Sequence, residues 1–234
     1  MSAPAAIASV SDLPTLPANG TDDFYYWIIV GKTYGECANA NSFIRQYNPD
    51  RVLKRIIDYW HFWIHKEEID FDDLPESITK LYKRSLITMR SQIDNEGAII
   101  AANDSDITFE GRDTYSYMWP RDGALVAYAM DLAGYSTVTR KFFECCARVI
   151  KDNGYLLHKY NPNGTLASSW HPWVEEGHTR LPIQEDETAL VVWSLWKHFE
   201  RYRDIEFIQP LYGPLVIRTA DFMCQFRNEK TGLP

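Results

Sequence analysis

An excess of positive charge is missing: the 234 residues carry 24 Lys and Arg against 32 Asp and Glu, a net charge of −8. Such a chain has no positive field to gather phosphate backbones or anionic headgroups, so nucleic acid is not an expected partner. Long hydrophobic runs are missing as well. The apolar stretches are broken by polar residues well before the roughly 18 needed to span a membrane. The start, MSAPAAIASVSD, has no basic segment ahead of an apolar run. No membrane partner and a cytoplasmic location are therefore expected. Cysteine is scarce, and Cys37, Cys145, Cys146 and Cys224 show no C-x-x-C spacing. Buried structural thiols are expected in place of a disulfide framework. No internal repeat is visible, which disfavours a solenoid of fixed period. With 45% hydrophobic and 24% charged residues, the chain bounds at one large domain, or one and a remnant.

What the chain has in plenty is aromatic: 8 Trp, 14 Tyr and 11 Phe. Flat apolar faces with polar edges suit the alternating C–H and O–H surfaces of a sugar ring, although most aromatic residues in any protein are core. Residues 1–23, rich in Ala, Ser, Pro and Thr, lack a period that buries a face and read as an irregular tail. Phe24 to Val30 is a β-branched and aromatic run bounded by Gly31 and reads as a strand without a visible partner. From Asn48 onward the period is helical. Helices are predicted from Pro49 to Lys66, from Pro75 to Met89, and from Pro120 to Gly134, the last carrying Leu125, Ala129 and Leu132. Others follow from Ser136 to Asp152 and from Asp186 to Arg203, and a last one from Asp204 to Arg227 is bent or broken at Pro210 and Pro214. Short turns alternate with long connections, Ser91 to Trp119 and Asn153 to Glu185, and connections of that length are usually functional.

Polar clusters occupy those connections. Gln92 to Asn95 and Ala101 to Ser105 suit tight turns. In the second cluster, Arg112 to Gly123, two Arg-Asp pairs flank alternating aromatics. Pro120 starts a helix there, so Arg121 and Asp122 stand in its first turn, where the helix dipole favours the acid and disfavours the cation. That placement suits a guanidinium and a carboxylate gripping vicinal hydroxyls, or else an ion pair anchoring the loop. The third cluster, Pro182 to Thr188, sets Gln184, Asp186 and Glu187 at another helix start, as dipole complement or as a matching half of the same site. If alternate helices form an inner ring, the two starts converge on one face. Between them, Trp170 and Trp173 in Ser168-Ser169-Trp170-His171-Pro172-Trp173 either wall a sugar subsite or pack their loop.

Taken together, Tyr115-x-Tyr117-x-Trp119-Pro120-Arg121-Asp122-Gly123, His158-Lys159-Tyr160, the Trp170 to Trp173 segment and Pro182 to Leu190 resemble glycoside hydrolase family 15, the glucoamylase-like enzymes, and most closely its bacterial and archaeal branch. The resemblance runs from Phe24 to Pro234. It implies a mainly α fold, an incomplete (α/α)6 barrel of helical hairpins over residues 67–234, preceded over 24–66 by the last strand of a β-sandwich domain and a linker helix. It also implies an inverting α-glucosidase that takes glucose from the non-reducing ends of an α-glucan or α-glucoside. Arg121 and Asp122 would hold the terminal glucose, Tyr115 and Trp119 would line its pocket, and Gln184, Asp186 and Glu187 would border it. No cofactor or metal is required. A trehalase, a dextran-type α-glucosidase, or an inactive sugar-binding or structural derivative are the alternatives; a tetratricopeptide-like array is a distant third.

One departure from the family is decisive for the chemistry. Inversion needs a proton donor at the leaving oxygen and a carboxylate that activates water on the opposite side. The family's acid lies in a Trp-Glu-Glu segment just after the sequence that Thr231-Gly232-Leu233-Pro234 resembles, and its base comes much later. No catalytic residue is therefore assigned within this chain; both are expected beyond Pro234, and self-association or a complementary C-terminal half is an expected partner. Trp173-Val174-Glu175-Glu176 mimics the acid's segment but precedes Gln184 to Glu187 and runs into a turn-like Gly-His-Thr-Arg. Asp186 and Glu187, at one helix start, are too close together to flank a bond and a water.

Overall fold

The computed structural model describes residues 5–10, 16, 18–67, 69–103, 115–161, 163–167, 174–175, 177–184 and 186–232. The chain divides into two units, Met1–Glu68 and Ile69–Pro234. In the first, β1 (Ala5–Val10) and β2 (Tyr26–Gly31) form an antiparallel ribbon in register from Ala5↔Gly31 to Val10↔Tyr26. Their period of two turns Ile7, Ser9, Trp27 and Ile29 to the covered face and leaves Tyr26, Ile28 and Val30 exposed. The helix α1 (Tyr34–Tyr47) lies on the covered face. Asn41 Oδ1 accepts from Trp27 Nε1 at 3.0 Å and from Ser9 Oγ at 2.8 Å, and the Cys37 thiol donates to the Ala5 carbonyl at 3.2 Å.

Two expectations change here. The segment 1–23 is not wholly irregular, and the strand of residues 24–30 has its partner within the chain. Alanine is a poor strand former, so β1 does not announce itself; pairing with β2 supplies its hydrogen bonds. The helix α1 precedes the helical period that begins at Asn48 and lies where the resemblance implies a linker helix. Its only buried residue is Cys37, so it has no apolar stripe, and its ends define it. Thr33 Oγ1 accepts from Glu36 N at 3.2 Å, and Glu36 Oε2 accepts in return from Lys32 N at 2.8 Å. The next helix, α2 (Pro49–Ile64), starts as predicted, with Pro49 in its first turn and Asn48 Oδ1 accepting from Asp50 N at 3.0 Å.

The second unit is helical: α3 (Glu76–Ser91), α4 (Pro120–Leu132), α5 (Ser136–Val149) and α6 (Glu187–Tyr202), then α7 (Ile205–Leu211), a π-helical turn (Tyr212–Ile217) and α8 (Arg218–Gln225). A minimal hairpin, β3 (Val174–Glu175) and β4 (His178–Thr179), precedes α6. The last predicted helix is thus re-closed through a π-turn and not interrupted. Pro214 has no N–H to give, and the wider turn absorbs the loss. After α4, Gly134 takes φ 90 and Tyr135 N donates back to the Met130 carbonyl at 2.9 Å, closing the turn into α5.

Packing of α4 against α5 and α6 uses Gly123, Ala124, Ala127 and Met130. The leucines of the helical period are not the buried residues: Leu125 and Leu132 are 51% and 53% exposed. Close helix approach selects small side chains, and a Cβ on Gly123 would stand 2.4 Å from the Phe142 ring. Across the same three helices, Asp131, Thr139 and His198 form a fully buried polar cluster. Thr139 Oγ1 donates to Asp131 Oδ1 at 2.5 Å, and His198 Nδ1 lies 3.0 Å from both Asp131 carboxylate oxygens. Cys37, Cys145 and Cys146 are buried and free, as expected, whereas Cys224 is exposed. Among the described residues no helix is long and apolar enough to cross a membrane.

The long connections are tied to each other by main-chain bridges, Ile100 to Met118, Met118 to Tyr160 and Tyr160 to Leu166. Met118 and Tyr160 exchange both hydrogen bonds at 2.8 Å, and His158 N donates to the Pro182 carbonyl at 2.9 Å. These bonds anchor the segments that lead into α4 and α6.

Candidate functional site

Trp119 is extended, at φ −107 and ψ 114, and Pro120 then fixes the first turn of α4, so Arg121 and Asp122 sit at its N-terminal end. Asp186 immediately precedes α6 and Glu187 opens it. Arg121 is shared between the two helix starts: Nε lies 3.9 Å from Asp122 Oδ2, and a terminal guanidinium nitrogen lies 3.9 Å from Asp186 Oδ2. Those separations hold the charges together but exceed hydrogen-bond length, so the directional donors and acceptors are not spent on one another. All three side chains are partly exposed. A bridging hydroxyl or water can therefore hydrogen-bond to the guanidinium and to either carboxylate.

Aromatic groups form the other wall. Trp119 is buried, and its ring centroid lies 6.1 Å from that of the exposed Tyr115. His158 meets Trp119 at 5.6 Å in an edge-on arrangement. Lys159, fully buried, brings its ammonium 4.6 Å from the Tyr117 ring and 5.6 Å from the Trp119 ring, within cation–π range of both. Sequence reading placed His158 and Lys159 in a motif but not in the site. The signal that could have found them is an ionisable pair inside the apolar run Leu156 to Tyr160, where a charge needs a specific reason to be.

Glu187 departs most from expectation. It was expected to border an open pocket, yet its side chain is wholly buried, and neither carboxyl oxygen has a partner in hydrogen-bond geometry among the described residues. Burial drives its pKa up to about 10, and the Asp186 and Asp122 carboxylates push the same way. The Arg121 guanidinium and the Gln184 backbone amide oppose the rise without overcoming it. Gln184 Oε1 is likewise buried and without a partner among the described residues. The structure therefore brings Trp119, Arg121, Asp122, Asp186 and Glu187 to one end of the α4 and α6 pair, with Tyr115 beside Trp119 and Gln184 in the turn before Glu187. Trp170 and Trp173 lie outside the described residues. Among the described residues no group of three or more His, Cys, Asp or Glu is placed to hold a metal ion.

No protein-family model matches the chain. Over 182 residues, 75% of its length, it is 28% identical to an uncharacterized glycosyl hydrolase of Methanocaldococcus jannaschii, of which the match covers 26%. Among solved structures, a bacterial glucoamylase complexed with acarbose superposes with a TM-score of 0.64 at 23% identity, over 88% of this chain and 28% of that one. The chain thus spans about a quarter of the length of each relative. Its helices share the fold of the corresponding part of a glucoamylase.

Proposed function

We propose that this chain is the sugar-binding part of an inverting α-glucosidase of glycoside hydrolase family 15, with a glucoamylase-like preference for the non-reducing ends of α-glucans. The observation that carries the reading is Arg121 held at 3.9 Å between Asp122 and Asp186, at the meeting of two helix starts and beside Trp119, on a glucoamylase-like fold. The resemblance of its motifs and the name of the 28% identical relative point the same way. In this reading Arg121 and Asp122 grip two hydroxyls of the terminal glucose, Tyr115 and Trp119 line the ring, and Gln184, Asp186 and Glu187 close the far side. Trp170 and Trp173 wall the next sugar. The helices α3 to α8 form the first part of an (α/α)6 barrel, and residues 24–66 close a β-sandwich and lead into it. The general acid and the water-activating base come from chain outside these residues, which is consistent with the quarter of each relative that the match covers.

The test is a pair of variants in the full-length enzyme. Asp122→Ala removes charge-assisted hydrogen bonds worth about 1.5–3 kcal/mol each and is expected to lower kcat/KM for maltose by about ten-fold or more. Glu175→Ala, in the β3–β4 hairpin, is expected to match the parent. Equal, small losses for both would remove Asp122 from the site.

A further inference from the structure

We infer that His61 and His65, at the C-terminal end of α2, form a two-histidine surface site for a late first-row divalent metal ion of the zinc class. Side chains four residues apart on a helix stand one above the other on the same face, which is the spacing at which helical histidine pairs chelate zinc. Both residues are exposed, and their ring centroids lie 4.4 Å apart with the planes inclined by 32°. Rotation about the soft terminal torsions of two rings so close brings a nitrogen of each to one ion at the zinc–imidazole bond length of about 2.0–2.1 Å.

The end of the helix orients one of the two rings. His65 N donates to the Trp63 carbonyl and not to that of His61. The His65 ring turns to the His61 carbonyl in its place, with Nδ1 at 2.7 Å from the oxygen. A carbonyl can only accept, so in the neutral ring Nδ1 carries the proton and Nε2 the lone pair that a metal takes. A ligating histidine whose other nitrogen donates to a main-chain carbonyl has its tautomer and ring plane fixed. Here one hydrogen bond both caps the helix and sets the ligand. The nearest charged side chains along the helix answer to one another: Asp58, three residues before His61, pairs with Lys54 at 3.1 Å, and Lys66 faces Glu67 at 3.6 Å. Among the described residues no third His, Cys, Asp or Glu completes the set, so solvent fills the remaining coordination positions. Imidazole ligands suit zinc, nickel or copper, whereas magnesium and calcium take oxygen. The pair belongs to the first unit and shares no residue with the sugar site, so the inference is independent of that reading.

Titration of zinc chloride into the metal-free full chain at pH 7, followed by calorimetry, tests the site. One ion per chain is expected for the parent, and magnesium should give no binding heat. His61→Gln and His65→Gln should each weaken zinc binding by about ten-fold or more, the loss that an outer-shell partner alone can cause. Unchanged helix content by circular dichroism separates lost ligation from lost folding. A second readout needs no variant: in nitrogen-edited NMR spectra of the parent, zinc should shift Nε2 of His65 while its Nδ1–H persists. A parent that binds no zinc, or equal affinities for the parent and the double variant, would overturn the site. A zinc-dependent change at Nδ1 of His65 in place of Nε2 would overturn the ligation inferred here.

Discussion

Glu187 makes the folded chain a proton acceptor relative to the unfolded one. Below its ordinary pKa of 4.5 both states carry the proton and the residue has no effect on stability. Above that value the unfolded chain ionises while the folded chain holds its proton up to about 10, so stability declines as pH rises through this window. The slope of about 1.4 kcal/mol per pH unit accumulates to about 3 kcal/mol at pH 7. Glu187→Gln removes this term. Urea unfolding of the variant and the parent should give similar stabilities near pH 4 and a variant about 3 kcal/mol more stable at pH 7; a constant difference across that range would mean that the acid is ionised in the fold.

The helix pair α4 and α5 depends on one missing side chain. Any Cβ at position 123 meets the Phe142 ring at 2.4 Å, and that ring is itself fully buried, so it cannot swing aside without repacking α5. Gly123→Ala should cost about 1–3 kcal/mol by overpacking, read as a lower denaturation midpoint, and Phe142→Leu in the same chain should restore part of it. Elements with local punctuation were legible in this way: Pro120 with Gly134 brackets α4, and Asn48 with Pro49 opens α2. The convergence of Arg121 with Asp186 followed from two clusters at helix starts, because a helix start is itself a local property. What escaped was set by distant partners. The strand β1 exists because β2 lies beside it, and α1, implied as a linker helix by the resemblance alone, is specified by its caps and by Asn41 reaching Trp27 and Ser9. The inner face of α4 is not legible from its leucines, because closeness to α5 and α6 favours glycine and alanine there. The burial of Glu187 and Lys159 is equally a tertiary outcome, with no periodicity to announce it.

The helical unit leaves several large apolar side chains exposed. Leu125, Leu132, Trp196 and Ile205 are each at least half exposed, and a groove of about 440 Å³ runs along α6 and α7, lined by Val192, Leu195, Trp196, Phe199, Ile205 and Tyr212. Exposed apolar area of this extent favours association. The purified 234 residues are expected to elute as dimers or larger species and to release no measurable glucose from maltose, starch or trehalose. On the proposed reading, with the acid and base outside these residues, each such group commonly contributes about 10²- to 10⁴-fold in rate. If the acid and base lie in further chain, as proposed, supplying that chain should restore both activity and a defined size. Steady glucose release by a monomer, lost in Glu187→Gln, would place the catalytic acid within this chain after all.

The bridges from Ile100 through Met118 and Tyr160 to Leu166 are made by main chain alone, and main-chain bonds do not depend on which side chain each residue bears. The half-exposed Ala101 and Ala102 beside them can therefore be exchanged with little penalty to the framework. Specificity and foldability are thus separately inherited: a lineage or a laboratory library can rewrite what the mouth of the site touches while the warp beneath it stays woven.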